Sequence, residues 1–172
     1  VKNTKPDGSV EAKEIVYLDI RFSNACNFKC RICGPEYSTA WYKDMHALHK
    51  GSDKHFSKTI NAHDDIEVFW KQIEIYLPNL EFIHFAGGEP MIMEEHYRIL
   101  KRLHELQKFD VRITYNTNLS VRKYQRNDIF ELWKDFNNIL VMASLDGAEK
   151  RGEYLRKGQK WSKTFELRKQ ML

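Results

Sequence analysis

The chain has 172 residues, of which 42% are hydrophobic and 13% aromatic, so it can bury the core of one domain and is not a disordered tail. The net charge of +4, from 28 basic and 24 acidic residues, is too small and too evenly spread to indicate nucleic-acid binding. The sequence contains no apolar run of membrane-spanning length, and the polar segment Val1 to Ala12 is no secretory signal. We therefore expect a cytoplasmic protein without a membrane partner.

Strands and helices are predicted to alternate along the chain. In order, we predict a strand at Ile15–Phe22, helices at Thr39–His49 and Asp65–Tyr76, a strand at Glu81–Ala86, a helix at Glu94–Lys108, a strand at Val111–Tyr115, a helix at Asn127–Phe136, a strand at Asn138–Ser144 and, after a long loop, a helix with Ser162 as its N-cap. This alternation predicts an α/β fold, in which parallel strands are joined by right-handed crossovers into an open sheet or a barrel.

Unusual residues follow each predicted strand. These segments are Cys26–Cys33, Gly87–Pro90, Asn116–Ser120 and Ser144–Gly147. In both open α/β sheets and α/β barrels, ligands bind at the carboxyl ends of the strands. The sequence therefore predicts that the four segments form one ligand site on the same rim.

All three cysteines of the chain lie in the first of these segments, as Cys26, Cys30 and Cys33. Thiolates are soft ligands that suit iron–sulfur clusters and zinc. Three protein ligands leave one coordination position open, as catalytic metal sites do. Alternatively, one of the seven histidines, for example His46, His49 or His55, completes a structural zinc site in a binding module without catalysis.

The CxxxCxxC spacing, in the loop after the first strand, resembles the signature of the radical S-adenosylmethionine superfamily. The resemblance implies that the three cysteines hold a 4Fe–4S cluster whose fourth iron binds S-adenosylmethionine. It also implies reductive cleavage of that cofactor to a 5′-deoxyadenosyl radical, which abstracts hydrogen from an unidentified substrate. A reducing donor such as flavodoxin or ferredoxin would be a partner. Ile32 stands where the family commonly has an aromatic residue, so an apolar contact to the adenine is expected there.

Two further segments carry the resemblance along the chain. Gly87-Gly88-Glu89-Pro90 resembles the family's GGEP motif, which meets the amino group of S-adenosylmethionine. The segment Tyr115-Asn116-Thr117-Asn118 resembles the turn that follows the third strand in the family, with Leu119 where glycine is frequent. The resemblance therefore implies cofactor contacts from Gly87 to Pro90 and from Asn116.

The last segment, Ser144-Leu145-Asp146-Gly147, resembles the S-x-D-G sequence of the branch that carries twitch or SPASM domains. In that branch the serine can hydrogen-bond the cofactor carboxylate, so Ser144 and Asp146 are expected at the site. Arg156 stands where an arginine often pairs with the same carboxylate, and a guanidinium suits that task. Gly88, Ser144 and Arg156 should accordingly face one cavity together with the three sulfurs.

The resemblance implies a partial, TIM-barrel-like (β/α)6 barrel with about four parallel units in residues 1–172. The first residue is Val1, and the helix at Phe165–Leu172 has no stop signal, so we expect an incomplete core domain whose later units and C-terminal domain lie beyond Leu172. The open side of the fourth strand should then be apolar and uncovered. A peptide, a protein or a small molecule would be the substrate.

Overall fold

The computed structural model describes residues 4–10, 14–49 and 59–171. The strands are β1 (Tyr17–Ile20), β2 (Lys29–Cys30), β3 (Phe82–Phe85), β4 (Arg112–Thr117), β5 (Lys123–Tyr124), β6 (Asn127–Asp128), β7 (Ile139–Ala143) and β8 (Arg156–Lys157). The helices are α1 (Tyr42–Leu48), α2 (Ile66–Glu74), α3 (Glu94–Glu105), α4 (Ile129–Trp133), α5 (Glu149–Leu155) and α6 (Trp161–Met171), with short 3-10 turns at Thr39–Trp41, Leu77–Asn79 and Pro90–Ile92.

The main sheet has four strands in the order β1-β3-β4-β7, and each neighbouring pair is parallel. Helix α2 lies between β1 and β3 in the chain, α3 between β3 and β4, and α4 between β4 and β7. The spatial order of the strands follows their chain order without a reversal, as in the wall of an α/β barrel. The predicted α/β fold with four parallel units is therefore confirmed.

The two faces of the sheet differ in burial because successive side chains of a strand point to opposite sides. Ile83, Phe85, Ile113 and Tyr115 are fully buried and belong to the hydrophobic core. Helix α3 contributes Tyr97, Ile99, Leu100 and Leu103 to the same core, and α4 contributes Ile129 and Trp133. The core thus lies on the helix-covered face, and the opposite face carries the alternate residues of each strand.

Local signals fix where the longer helices begin. Asp65 caps α2 by accepting hydrogen bonds from the amides of Glu67 at 2.8 Å and Val68 at 3.0 Å, which satisfies two free donors of the first turn. The acidic Glu94 and Glu95 occupy the first turn of α3, where negative charge offsets the helix dipole.

The predicted N-cap of the last helix is wrong. Helix α6 already begins at Trp161, whose amide donates to Glu153 Oε1 at 2.8 Å, so Ser162 lies inside the first turn. Glu153 belongs to α5, which occupies the segment predicted as a long loop. A carboxylate from the preceding helix therefore replaces the local cap that the sequence suggested.

Strand β7 pairs with β4, and within the described ranges its other edge has no strand partner. Leu140 is 45% exposed and Met142 is 42% exposed on the face opposite the core. These side chains lie on a face of the sheet, so the predicted apolar and uncovered side towards a further strand stays a prediction. Among the described residues, no helix has the length and apolar character needed to cross a membrane.

Candidate functional site

A cavity of about 550 Å³ opens at the carboxyl ends of all four strands of the sheet. Its volume lies within the range of about 300–1,000 Å³ that is typical of small-molecule sites. The residues that follow the strands and line it are Arg21 and Ser23 after β1, Ala86, Gly87 and Gly88 after β3, Asn116 and Thr117 at the end of β4, and Ser144 after β7.

All three cysteines line this cavity. Cys30 lies in β2, and the amide of Cys33 donates to the carbonyl of Cys30 at 3.0 Å, which closes a tight turn between them. Phe28 is buried below the loop, and its carbonyl accepts a 2.6 Å hydrogen bond from the Ser38 hydroxyl. The loop is therefore anchored between its first and second cysteines, and the thiols face the open space.

Burial disfavours the thiolate form of these side chains. It raises the pKa of Cys30 to about 11, although the positive charge of Arg156 acts in the opposite direction. Burial also raises the pKa of Cys26. Cys33 also raises the pKa of both Cys26 and Cys30, and Cys26 raises the pKa of Cys30 further. At neutral pH these two thiols keep their protons, and a bound metal centre would have to displace them.

A structural zinc site would need its ligands grouped closely around one ion. Zinc–sulfur bonds of about 2.3 Å in a tetrahedron put sulfurs about 3.8 Å apart. Among residues 4–10, 14–49 and 59–171, no group of three or more histidine, cysteine or acidic side chains is arranged to hold one ion. His46 and His49 do not line the cavity, and His55 lies outside the described residues.

The turn after β3 approaches the cysteine loop closely. The amide of Gly88 donates to the Ser23 carbonyl at 3.0 Å, and the amide of Glu89 donates to the Ala25 carbonyl at 2.8 Å. A β-carbon on Gly88 would overlap that Ala25 carbonyl, and Gly87 has a φ of +93°, which glycine adopts without strain. The two glycines are required because two backbones meet at this point.

Glu89 turns away from the cavity and is buried. Its carboxylate accepts hydrogen bonds from the Met91 amide at 3.1 Å, the Thr117 hydroxyl at 2.6 Å and the Asn118 amide at 2.7 Å. Burial raises its pKa, and the three donors partly offset that effect. Pro90 is buried as well and does not line the cavity. Glu89 thus joins the turn after β3 to the turn after β4.

Arg156 faces the cavity from β8 and is held there by an acidic partner. Its Nη2 donates to Asp146 Oδ1 at 2.9 Å, and its Nε lies 2.9 Å from Asp146 Oδ2 without the angle of a hydrogen bond. Its Nη1 points to Cys30 Sγ at 3.6 Å. Ser144 lines the cavity, whereas Asp146 does not and is exposed. The segment after β7 therefore places Ser144 on the cavity wall and uses Asp146 to hold Arg156 there.

The remaining two predicted residues lie in different surroundings. Asn116 lines the cavity, and its Nδ2 lies 3.4 Å from His84 Nε2. Ile32 is 71% exposed and does not line the cavity. The structure therefore brings together Cys26, Cys30, Cys33, Gly87, Gly88, Asn116, Ser144 and Arg156, and it leaves Ile32, Glu89, Pro90 and Asp146 off the wall.

A bridge between the cysteine loop and the turn after β4 was not predicted from the sequence. Asn118 Nδ2 donates to Asn27 Oδ1 at 2.8 Å and lies 4.0 Å from Cys26 Sγ. Asn27 Nδ2 donates to the Ser120 hydroxyl at 2.9 Å. The sequence did show amide and hydroxyl side chains after two strand ends. It could not show that they pair, because the partners are about 90 positions apart in the chain.

Comparison with known proteins gives three findings. A family described as the radical SAM superfamily matches residues 20–172. The GTP 3′,8-cyclase of Campylobacter lari is 23% identical over 116 residues, which cover 67% of this chain and 31% of that protein. A crystal structure of Streptococcus suis SuiB bound to S-adenosylmethionine superposes with a TM-score of 0.55 at 19% identity, covering 92% of this chain and 30% of that one. The chain thus spans about a third of the length of both relatives.

Proposed function

Since this chain belongs to the radical S-adenosylmethionine superfamily, we propose that Cys26, Cys30 and Cys33 hold a 4Fe–4S cluster and that the cavity beside them binds S-adenosylmethionine. The observation that carries the proposal is that the thiols and the strand ends line the same cavity. Three thiols and residues from four strand ends line one cavity of about 550 Å³. A soft, three-thiol donor set suits an iron–sulfur cluster that keeps one iron free for a further ligand.

The residues of the chain fit the cofactor in several ways. Gly87 and Gly88 provide a wall without side chains, so a ligand can approach the backbone closely. Ser144 adds a hydroxyl to the cavity wall. Arg156 presents its Nη1 at the cavity wall beside Cys30 Sγ, while Asp146 holds the other edge of the guanidinium in place. A carboxylate of the cofactor would bind between these donors.

When bound and reduced, the cluster would supply the electron that cleaves S-adenosylmethionine and starts a radical reaction. The contribution of the protein would be positioning. Glu89 fixes the turn after β3 to the turn after β4, and Asn118 fixes the latter to the cysteine loop. The cavity walls would therefore hold their relative positions while the cofactor binds.

Within the superfamily, we place the chain with the proteins that carry a twitch or SPASM domain. This assignment is supported by the sequence Ser144–Gly147 and by Arg156 on the cavity wall. We propose a peptide or protein as the substrate. A nucleotide is the second candidate, because the curated relative is named GTP 3′,8-cyclase. Reduction would come from a donor such as flavodoxin or ferredoxin.

Anaerobic reconstitution of the full-length protein tests the proposal. We expect iron and sulfide in the ratio of a 4Fe–4S cluster, an electron paramagnetic resonance signal after reduction that changes when S-adenosylmethionine is added, and release of 5′-deoxyadenosine. Cys30→Ser should lose the cluster. The matched control is Ile32→Ser in the same loop, which should retain it because that side chain points away from the cavity.

Two results would contradict the proposal. Stoichiometric zinc without sulfide would indicate a zinc-stabilised binding module. A cluster that is reduced in the presence of S-adenosylmethionine without forming 5′-deoxyadenosine would indicate simple electron transfer.

A further inference from the structure

The short ribbon formed by β2 and β8 has two different faces. Its register places Cys30 opposite Arg156 and Lys29 opposite Lys157. Because side chains alternate along a strand, the first pair faces the cavity and the second pair faces away from it. Lys29 and Lys157 line a separate hollow of about 410 Å³. A single layer of backbone therefore separates the Cys30 thiol from this second hollow.

We call the side chains on that second side the outer ribbon face, which comprises Lys29, Arg31, Tyr154 and Lys157. The Arg31 guanidinium lies 3.9 Å above the Tyr154 ring, and its Nε donates to the Tyr154 carbonyl at 3.1 Å. Tyr154 is 62% exposed. Arginine and tyrosine are enriched at protein–protein interfaces. The outer ribbon face thus combines stacked interface residues with open access.

The outer ribbon face has an excess of positive charge. Lys29 and Lys157 stand directly opposite each other, and like charges in such a position destabilise a ribbon. Lys29 donates to Asp44 at 2.6 Å, and this hydrogen bond, with the nearby charges of Lys157 and Lys43, lowers the pKa of Asp44. Only Asp44 and Glu153 are acidic among the described residues that line the hollow. An acidic partner would relieve the remaining repulsion.

We infer that the outer ribbon face is the docking surface for an acidic one-electron carrier protein, which reduces the cluster through the β2–β8 ribbon. This inference rests on the proposed function. A redox group seated on the hollow would be separated from the Cys30 thiol by the backbone of the ribbon alone. In the transfer the carrier is oxidised by one electron and the cluster is reduced by one, and no bond in the protein forms or breaks.

The experiment uses the full-length protein with its reconstituted cluster, reduced flavodoxin as the acidic carrier, and dithionite as a small reductant. Loss of the visible absorbance of the cluster reports its reduction. For Lys157→Glu, we expect the second-order rate constant with flavodoxin to fall about tenfold, because charge reversal removes electrostatic steering. The rate with dithionite should stay within twofold. The matched control is Lys101→Glu, a charge reversal on the exposed side of α3, which should leave both rates unchanged.

Binding provides a second readout that does not depend on the cluster. Oxidised flavodoxin should bind the cluster-free protein about tenfold more weakly after Lys157→Glu than after Lys101→Glu. Equal rates and equal affinities for the two variants would overturn the docking surface while leaving the proposed function intact.

If Lys157→Glu does not fold, the parent protein decides the question. Its rate with flavodoxin must fall steeply with added potassium chloride, and a flat response would overturn the inference. Absence of iron and sulfide in the parent would contradict the proposed function instead.

Discussion

Polar groups have different partners on the helix-covered face of the sheet and on the rim at its carboxyl ends. On the covered face, His96 Nε2 lies 2.9 Å from the Tyr115 hydroxyl, which also accepts a 3.1 Å hydrogen bond from Trp133 Nε1. These three buried residues connect α3, β4 and α4 through polar contacts within the protein. On the rim, the thiols, Ser144 and Arg156 face an open cavity. The polar groups of the covered face contact one another inside the core, whereas those of the rim are available to a ligand.

The comparison teaches that rigidity at the rim comes from a few contacts directly behind the wall. Glu89 is as deeply buried as the residues of the core, yet its three donors belong to the turns that shape the cavity. Asp146 is exposed, but it likewise supports the wall because it accepts a 2.9 Å hydrogen bond from Arg156 Nη2. Variants that disturb these supports should affect stability and ligand binding together, whereas variants of the covered face should affect stability alone.

The largest effect is expected for Gly88→Ala, which tests whether the rim depends on backbone contact. The new β-carbon would overlap the Ala25 carbonyl, and neither backbone can move freely, so we expect a loss of about 3 kcal/mol in the free energy of unfolding. Urea denaturation measures it. In the control Gly147→Ala, the new β-carbon meets mainly the flexible Arg151 side chain, and the loss should stay below about 1 kcal/mol. Similar losses for both variants would mean that the close approach is unimportant.

The burial of His96 on the covered face should make the free energy of unfolding depend on pH. Burial lowers the pKa of His96 to about 3, from an ordinary value of 6.5, so the folded protein binds the proton more weakly than the unfolded chain. The contribution of neutral His96 is therefore complete above pH 6.5 and is lost as the pH falls towards 3, by up to about 1.4 kcal/mol per pH unit.

Unfolding curves at pH 7, 6 and 5 check this effect. The wild type should lose stability relative to His96→Phe as the pH falls, because the variant carries no titrating group at that position. Leu103→Met, in the same helix, serves as the control for altered packing and should keep the slope of the wild type. A wild type and a His96→Phe variant with parallel pH profiles would show that the covered face is open to protons.

A third variant tests whether the rim binds an anion through Arg156. Lysine keeps the charge of arginine but cannot bond Asp146 and a ligand with a planar fork, so Arg156→Lys should weaken S-adenosylmethionine binding about tenfold. Isothermal titration of the reconstituted protein measures the dissociation constant. The control is Arg122→Lys, whose guanidinium pairs with Asp128 away from the cavity. Equal affinities in both variants would remove Arg156 from the proposed site.

The smallest effect is expected for Ser144→Ala. Loss of one neutral hydrogen bond costs about 0.5–1.5 kcal/mol, so the affinity for S-adenosylmethionine should fall about threefold while the free energy of unfolding hardly changes. Ser162→Ala, on the exposed surface of α6, is the matched control. A Ser144→Ala variant with unchanged affinity would indicate that its hydroxyl faces the cavity without contacting the cofactor.

The sequence by itself determined the class of fold and predicted the chemistry of the candidate site. Strand and helix periodicity are local properties, so the four parallel strands could be predicted, although their ends differ by a few residues from the predicted ones. The spacing of Cys26, Cys30 and Cys33 predicted a soft metal centre, and the family match supports that chemistry, while the three ligands themselves stay a prediction. The glycines of the turn after β3 were also recognised, because close backbone approach demands that residue type.

Only the tertiary structure decided which of the predicted residues line the cavity and which support its wall from outside. Glu89 and Arg156 were both predicted to contact the cofactor, but the first is buried behind the wall and the second faces the cavity. The β2–β8 ribbon joins Cys30 to a residue 126 positions away, and no local pattern marks its two-residue strands. Such pairings depend on which strand ends meet in space, which is set by packing across the whole sheet rather than by neighbours in the chain.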